Sequence, residues 1–218
     1  MSDLLNQLVE MSRYLGDPNK PYAILGEGNT SARIDEDSFY VKASGTTLGS
    51  IDASGFVRVS ISKVTQILDD PNAGDDDVSR VLKEACLDPA ETKRPSVETM
   101  LHASLLKYPE YKFIGHTHPE ATNGLLCSVN SREAVAGRVC PDHIVVMGHK
   151  SVYVPYVDPG LVLSRAVRDA VSDFIDSEGV LPKCIMLENH GLFAMADTPK
   201  KICNCLLYTS DAADDTPC

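Results

Sequence analysis

The chain has 218 residues, 31 Asp and Glu against 20 Lys and Arg, a formal net charge of −11, 43% hydrophobic residues and no Trp. That is the make-up of a globular domain large enough to fold without a disulfide or metal staple, and the acid excess argues against nucleic-acid or anionic-membrane partners, which call for surplus Lys and Arg. No apolar run approaches the roughly 18 residues of a membrane helix, and MSDLLNQLVEMSRYLG carries acids where a secretory signal carries basic residues, so a cytoplasmic protein is expected.

Leu4, Leu5, Leu8, Val9 and Met11 recur at helical spacing behind Ser2 and Asp3, which predicts a capped first helix. From Tyr22 the pattern turns to short β-branched or aromatic runs. YAILGEGN, TSARI, FYVKAS and FVRVS predict strands parted by turns. Residues 60–70 and 76–88 return to helical periodicity. Pro95-Ser96 opens a helix predicted over 96–107, with Met100, Leu101, Leu105 and Leu106 on its apolar side. KFIGHTH (112–118) predicts a strand stopped by Pro119, with a helix following through ATNGLLCSV. IVVM (144–147) and VYVPY (152–156) read as strands, and residues 161–175 as an amphipathic helix. KCIMLEN (183–189) and GLFAMA (191–196) read as two strands broken at His190-Gly191. Helices and strands mix without strict βαβ alternation, which favours α+β or a mainly antiparallel α/β layer arrangement.

Seven cysteines at irregular spacings, with no CxxC pair, read as reduced thiols. Cys127 and Cys184 lie in apolar stretches and are expected to be buried. The last stretch, CLLYTSDAADDTPC (205–218), shows neither periodicity nor a cap, and its first eleven residues are similar to a translated sequencing adapter. It reads as a non-native tail that interrupts a helix begun at Thr198-Pro199, with a natural polar tail as the alternative. The domain is then expected over 1–204, with its own C-terminus missing.

Chemistry concentrates in four places. His116-Thr117-His118 puts two imidazoles on one face of a strand, a pattern that fits surface histidines as well as metal ligands. Glu188-Asn189-His190-Gly191 ends an apolar strand in a turn carrying a third histidine. Three imidazoles from two strand ends suit a tetrahedral zinc site with one open position. In Pro95-Ser96-Val97-Glu98-Thr99, Ser96 is expected to cap the helix and Glu98 to lie in its first turn. Glu98 then fits a helix-stabilising acid, a general base whose pKa an apolar pocket lifts, or a carboxylate that ligates a metal at rest. Gly26-Glu27-Gly28-Asn29-Thr30-Ser31 and Ala43-Ser44-Gly45-Thr46-Thr47 offer backbone N–H groups to an anion, with Lys42 adding charge, and both also fit ordinary turns. His102 is expected to pack within its helix, and His143 and His149 to be solvated. Neither a nucleotide-binding glycine motif nor a G-x-S-x-G elbow occurs.

Read in order, GEGNTS, KASGT, RPSVET, GHTHP and ENHG resemble the motif series of the class II aldolase/adducin family. The wording around them is most similar to the aldolase domain of the bifunctional rhamnulose-phosphate aldolase/dehydrogenase group. The resemblance implies an α/β fold, three αβα layers around a largely antiparallel sheet, commonly as a homotetramer with active sites between subunits. It implies Zn2+ held by His116, His118 and His190, Glu98 as the acid/base, and Gly28, Asn29, Ser44, Gly45 and Ser96 as phosphate-binding elements. The implied substrate is a small-molecule sugar phosphate, and the implied reaction is zinc-dependent retro-aldol cleavage of a ketose 1-phosphate or related sugar derivative. A sugar-phosphate 4-epimerase or dehydratase on the same site, and a non-catalytic adducin-like interaction module, are the alternatives. The sequence departs from the family at Val97, where many sugar-phosphate aldolases have a second Ser. The family's C-terminal segment, which often supplies a tyrosine, is expected to be missing, and Tyr208 is not given that role.

Overall fold

Period-2 alternation in the apolar runs builds one sheet buried on both faces. In the computed structural model, which describes residues 2–210, the strands are β1 (Gly28–Arg33), β2 (Ser38–Lys42), β3 (Phe56–Ser60), β4 (Phe113–Thr117), β5 (Val152–Val154), β6 (Cys184–Leu187) and β7 (Gly191–Ala196). They lie in the order β3-β2-β1-β4-β7-β6-β5. Every pairing is antiparallel except β5 with β6. The helices are α1 (Asp3–Leu15), α2 (Ile61–Asp69), α3 (Asp75–Ala85), α4 (Thr99–Leu106), α5 (Glu120–Leu126), α6 (Ser131–Ala136), α7 (Pro141–Met147), α8 (Leu161–Glu178) and α9 (Pro199–Ser210). No helix among the described residues is long and apolar enough to cross a membrane.

Alternate side chains of each strand enter two separate cores. Val41, Val59, Ile114, Ile185, Leu187 and Phe193 point to the face covered by α2, α3, α4 and α8, where Val64, Leu82, Leu101 and Val167 meet them. Ala32, Phe113, Met186, Leu192 and Ala194 point the other way, onto Leu8, Leu126, Val135, Met147 and Ile202 of α1, α5, α6, α7 and α9. The result is a three-layer αβα fold of the α/β class. Each fully buried aliphatic side chain contributes about 1.5–3 kcal/mol, which makes the two cores the main source of stability. Helix α4 is buried at all eight positions rather than on one side, because it lies between the sheet and the outer helices α2 and α8.

Several expectations change in the structure. IVVM is the body of helix α7, where Pro141 opens the helix and Met147 packs inward while Ile144 and Val145 stay exposed. YAIL does not extend into a strand, because Leu25 (φ 54°) and Gly26 (φ 71°) turn the chain before β1 begins at Gly28. Residues 131–136 form a short helix that the sequence pattern does not signal. Cys127 is exposed at the end of α5, whereas Cys184 is buried. His143 is buried rather than solvated. Helix α9 is not interrupted at Cys205: it continues to Ser210, with Ile202, Cys205 and Leu206 buried. The rest of the expected tail, 211–218, lies outside the described residues.

Candidate metal centre

Three backbone features bring the histidines together at one end of the sheet. The register pairs Asn29 of β1 with His116 of β4, and His116 with Phe193 of β7. The fully buried His116 ring therefore stacks on Phe193, with centroids 4.1 Å apart. Its Nδ1 lies 2.8 Å from the Leu192 carbonyl, which can only accept. Nδ1 thus carries a proton, and Nε2 is turned to the site. His118 follows the last residue of β4 and is half-buried. His190 belongs to the tight turn between β6 and β7, where Asn189 adopts φ 54°. A side chain at Gly191 would meet the Thr117 carbonyl at 2.5 Å and the His118 ring at 2.6 Å. The turn can close over the imidazoles only because residue 191 is glycine. The ring centroids of His118 and His190 are each within 5.1 Å of the other and of His116.

Glu98 completes the cluster. Its Oε1 lies 3.1 Å from His116 Nε2 and 3.7 Å from His190 Nε2, and His118 Nε2 lies 3.1 Å from His116 Nε2. One ligand atom from each of the four residues falls within 4.8 Å of all the others. Tetrahedral ligands held at about 2.0–2.1 Å from a zinc-sized ion are about 3.3 Å apart, so these separations match a shared cation. Two ring nitrogens at 3.1 Å must either share a proton or face a common positive charge. Burial, reinforced by the other two histidines, pushes His118 down to about 3, which keeps its ring neutral and available as a ligand. The donor set of three imidazoles and one carboxylate fits a divalent transition metal.

The electrostatics correct one expectation. Burial alone raises the Glu98 carboxyl, as an apolar pocket should, but His116 and hydrogen bonds from His116 and His190 outweigh it. The group is held well below the usual carboxylate range and is ionised. Glu98 also stands at the cap position of α4, not in its first turn, and Ser96 does not cap the helix. Instead the Ser96 hydroxyl accepts from the Glu98 N–H at 3.3 Å, which fixes the backbone that carries the carboxylate.

The remaining candidate residues lie at the same end of the sheet. Gly28 (φ 138°) opens β1, and a side chain there would meet the His116 carbonyl at 2.5 Å. Asn29 is fully buried beside His116, and neither its Nδ2 nor its Oδ1 has a hydrogen-bond partner. Ser44 and Gly45 are exposed on the turn after β2. That turn is tied to the segment before α4 by Ser44 N–H donating to the Arg94 carbonyl (2.8 Å) and Ser96 N–H to the Lys42 carbonyl (3.4 Å). Lys42 is buried with its Nζ on the Thr46 carbonyl at 2.7 Å. Burial lowers its pKa, while the nearby Glu98 and Glu27 charges oppose the shift. His102 packs as expected, fully buried with Nδ1 2.7 Å from the Ser31 hydroxyl. Sequence reasoning did not single out Glu27, whose Oε2 is 3.7 Å from His118 Nδ1, or Asn123, whose Nδ2 donates to the His190 carbonyl at 2.9 Å. Glu27 sits inside the GEGNTS motif and carried a signal, whereas Asn123 carried none.

Comparison with known proteins supports the family resemblance and the fold. The Class II Aldolase and Adducin N-terminal domain family matches residues 6–215. The chain is 29% identical over 202 residues to the uncharacterized oxidoreductase YuxG of Bacillus subtilis, an alignment covering 89% of this chain and 27% of that protein. The chain thus spans about a quarter of that relative's length. It is 24% identical over 195 residues to 3-oxo-tetronate 4-phosphate decarboxylase of Haemophilus influenzae, covering 88% of this chain and 77% of that one. Among solved structures, the N-terminal class II aldolase domain of a conserved protein from Thermoplasma acidophilum superposes with a TM-score of 0.74 at 27% identity. That match covers 97% of this chain and 94% of the other.

Proposed function

The chain belongs to the class II aldolase and adducin family, and on that premise we propose that it is a metal-dependent carbon–carbon lyase acting on a ketose 1-phosphate or related sugar derivative by reversible retro-aldol cleavage. The observation that carries this reading is the convergence of Glu98, His116, His118 and His190 within 4.8 Å. Zinc held by the three histidines supplies a Lewis acid that stabilises negative charge developing on substrate oxygens. The ionised Glu98 carboxylate is the base form needed to take the proton from the nucleophilic carbon in the condensation direction. In the cleavage direction the C4 hydroxyl gives up its proton to water as C4 becomes the aldehyde carbonyl and the C3–C4 bond breaks, and Glu98 returns its proton to the enediolate left behind. Asn29, whose buried amide has unused donors and acceptors beside His116, hydrogen-bonds the substrate. Gly28, Ser44, Gly45 and Ser96 hold the phosphate and fix the reacting carbon in place. Leu25 and Val97, 88% and 52% exposed, flank these segments in sequence, in keeping with a homotetramer whose sites lie between subunits.

Metal analysis combined with a screen of ketose 1-phosphates for release of dihydroxyacetone phosphate tests the proposal. Net release of a three-carbon fragment means aldolase, whereas a rejoined product with an inverted centre means 4-epimerase and loss of water means dehydratase. The decarboxylase relative favours a second reading, loss of carbon dioxide from a 3-oxo acid phosphate, because that reaction also leaves a carbanion stabilised as an enolate. Carbon dioxide release from such a substrate identifies it. A chain that binds no metal and cleaves none of these substrates returns the reading to an adducin-like interaction module.

A further inference from the structure

The turn that carries His190 is short, held on one side by Asn123 Nδ2 donating to the His190 carbonyl at 2.9 Å. His190 N–H donates to the Leu187 carbonyl at 3.2 Å and Asn189 N–H to the Leu126 carbonyl at 3.2 Å, while Asn189 occupies a left-handed conformation that L residues seldom adopt. The residue that opens the turn is tied as well. Glu188 continues the β5–β6 pairing by donating its N–H to the Val154 carbonyl at 3.0 Å. Its carboxylate then joins two other parts of the chain. Oε1 accepts from the hydroxyl of Ser131, the first residue of α6, at 3.2 Å, and Oε2 accepts from the Tyr156 N–H, in the segment after β5, at 2.9 Å. The Ser131 hydroxyl, having given its proton to Glu188, accepts from the Tyr153 hydroxyl at 2.7 Å. Ser131 is itself buried, and the Arg132 guanidinium lies 4.5 Å over the Tyr153 ring, so this anchor rests on packed groups.

We propose that Glu188 is a positioning residue for the metal centre: by clamping the β6–β7 turn to α6 and to the segment after β5, it holds the His190 imidazole where His116 and His118 can share a cation with it. The inference rests on the metal reading of the site and goes beyond it, since the Glu188 carboxylate makes its hydrogen bonds to Ser131 and Tyr156 and none to the four candidate ligands. Deleting a group hydrogen-bonded directly to a metal ligand costs about 10–100-fold in affinity, and Glu188, acting from further out through the turn, is expected at the low end of that range.

The test is zinc affinity of the full chain, measured by chelator competition, alongside the visible spectrum of the cobalt-loaded protein and the melting temperature of the metal-free protein. Glu188→Ala is expected to weaken zinc at least about tenfold and to alter the cobalt spectrum, with little change in metal-free melting. Glu188→Gln, which keeps one acceptor but no charge, is expected to fall between Ala and wild type. Ser131→Ala, which removes one contact without touching the turn, is expected to lose about threefold, and it keeps the test decisive should Glu188→Ala fail to fold. Wild-type affinity in Glu188→Ala overturns the proposal. So do equal losses in Gln and Ala, since they would mark a charge effect at a distance. If the wild-type chain itself binds no zinc, the metal reading fails first, and that outcome is visible before any variant is compared.

Discussion

The His116 imidazole lies flat against the Phe193 ring, 16° from parallel and 4.1 Å between centroids. Phe193 therefore does two jobs: it fills the core beneath α4 and sets the plane of a candidate ligand ring. Phe193→Leu should lower stability by about 1–2 kcal/mol, as a reshaped core position does, and weaken zinc binding as well. Chemical denaturation and a metal titration on the same samples check both halves. Unchanged metal affinity at reduced stability would confine Phe193 to packing.

Glycine at 191 is required by space, since a methyl group there meets the Thr117 carbonyl at 2.5 Å and the His118 ring at 2.6 Å. Gly191→Ala should cost about 1–3 kcal/mol and displace His118, lowering metal affinity at least about tenfold. Gly124→Ala, where nothing lies within 4 Å of the added carbon, is the control and should leave affinity unchanged. Equal behaviour of the two variants in a zinc titration would contradict the steric account.

Asn29 combines complete burial with an amide that has no partner. An unpartnered buried polar group costs about 1–3 kcal/mol, and under the proposed function a bound substrate offsets that cost. Asn29→Leu, of similar volume, should raise the melting temperature of the substrate-free chain and abolish or sharply reduce turnover. A fall in melting temperature would mean that the amide is already satisfied without substrate.

Glu98→Gln separates acid/base work from ligation. The amide keeps an oxygen near His116 and His190 but cannot carry the proton. Zinc content should persist while turnover falls by about 100-fold or more, the usual contribution of a positioned proton-transfer group. Steady-state kinetics of the metal-loaded variant measure this, and full activity would remove Glu98 from the chemistry.

Much of this arrangement could be read from local pattern. The alternation in KCIML and GLFAMA places successive side chains in opposite cores, as the two cores require. Ser2 caps α1 through the Leu5 N–H, as Ser2-Asp3 before an apolar repeat suggests. What could not be read depended on partners distant in the chain. IVVM has strand-like composition, yet Pro141 and the packing of α7 against α9 make it helical. Glu98 has one pKa tendency from its apolar surroundings and the opposite one from His116, which is distant in sequence. The role of Asn123 comes only from a contact with the His190 carbonyl, 67 residues away. HxH and ENHG identified the histidines as residue types, but their meeting was set by sheet order: β7 carries the turn of His190 alongside β4, which leads into His118.

The central claim is that His190 shares one cation with His116 and His118. Zinc stoichiometry of the dialysed wild-type chain, measured beside His190→Ala, tests it most directly. The account predicts about one zinc per wild-type chain and loss of that zinc in the variant, with the metal-free fold intact. Retention of zinc by His190→Ala at wild-type affinity would contradict it.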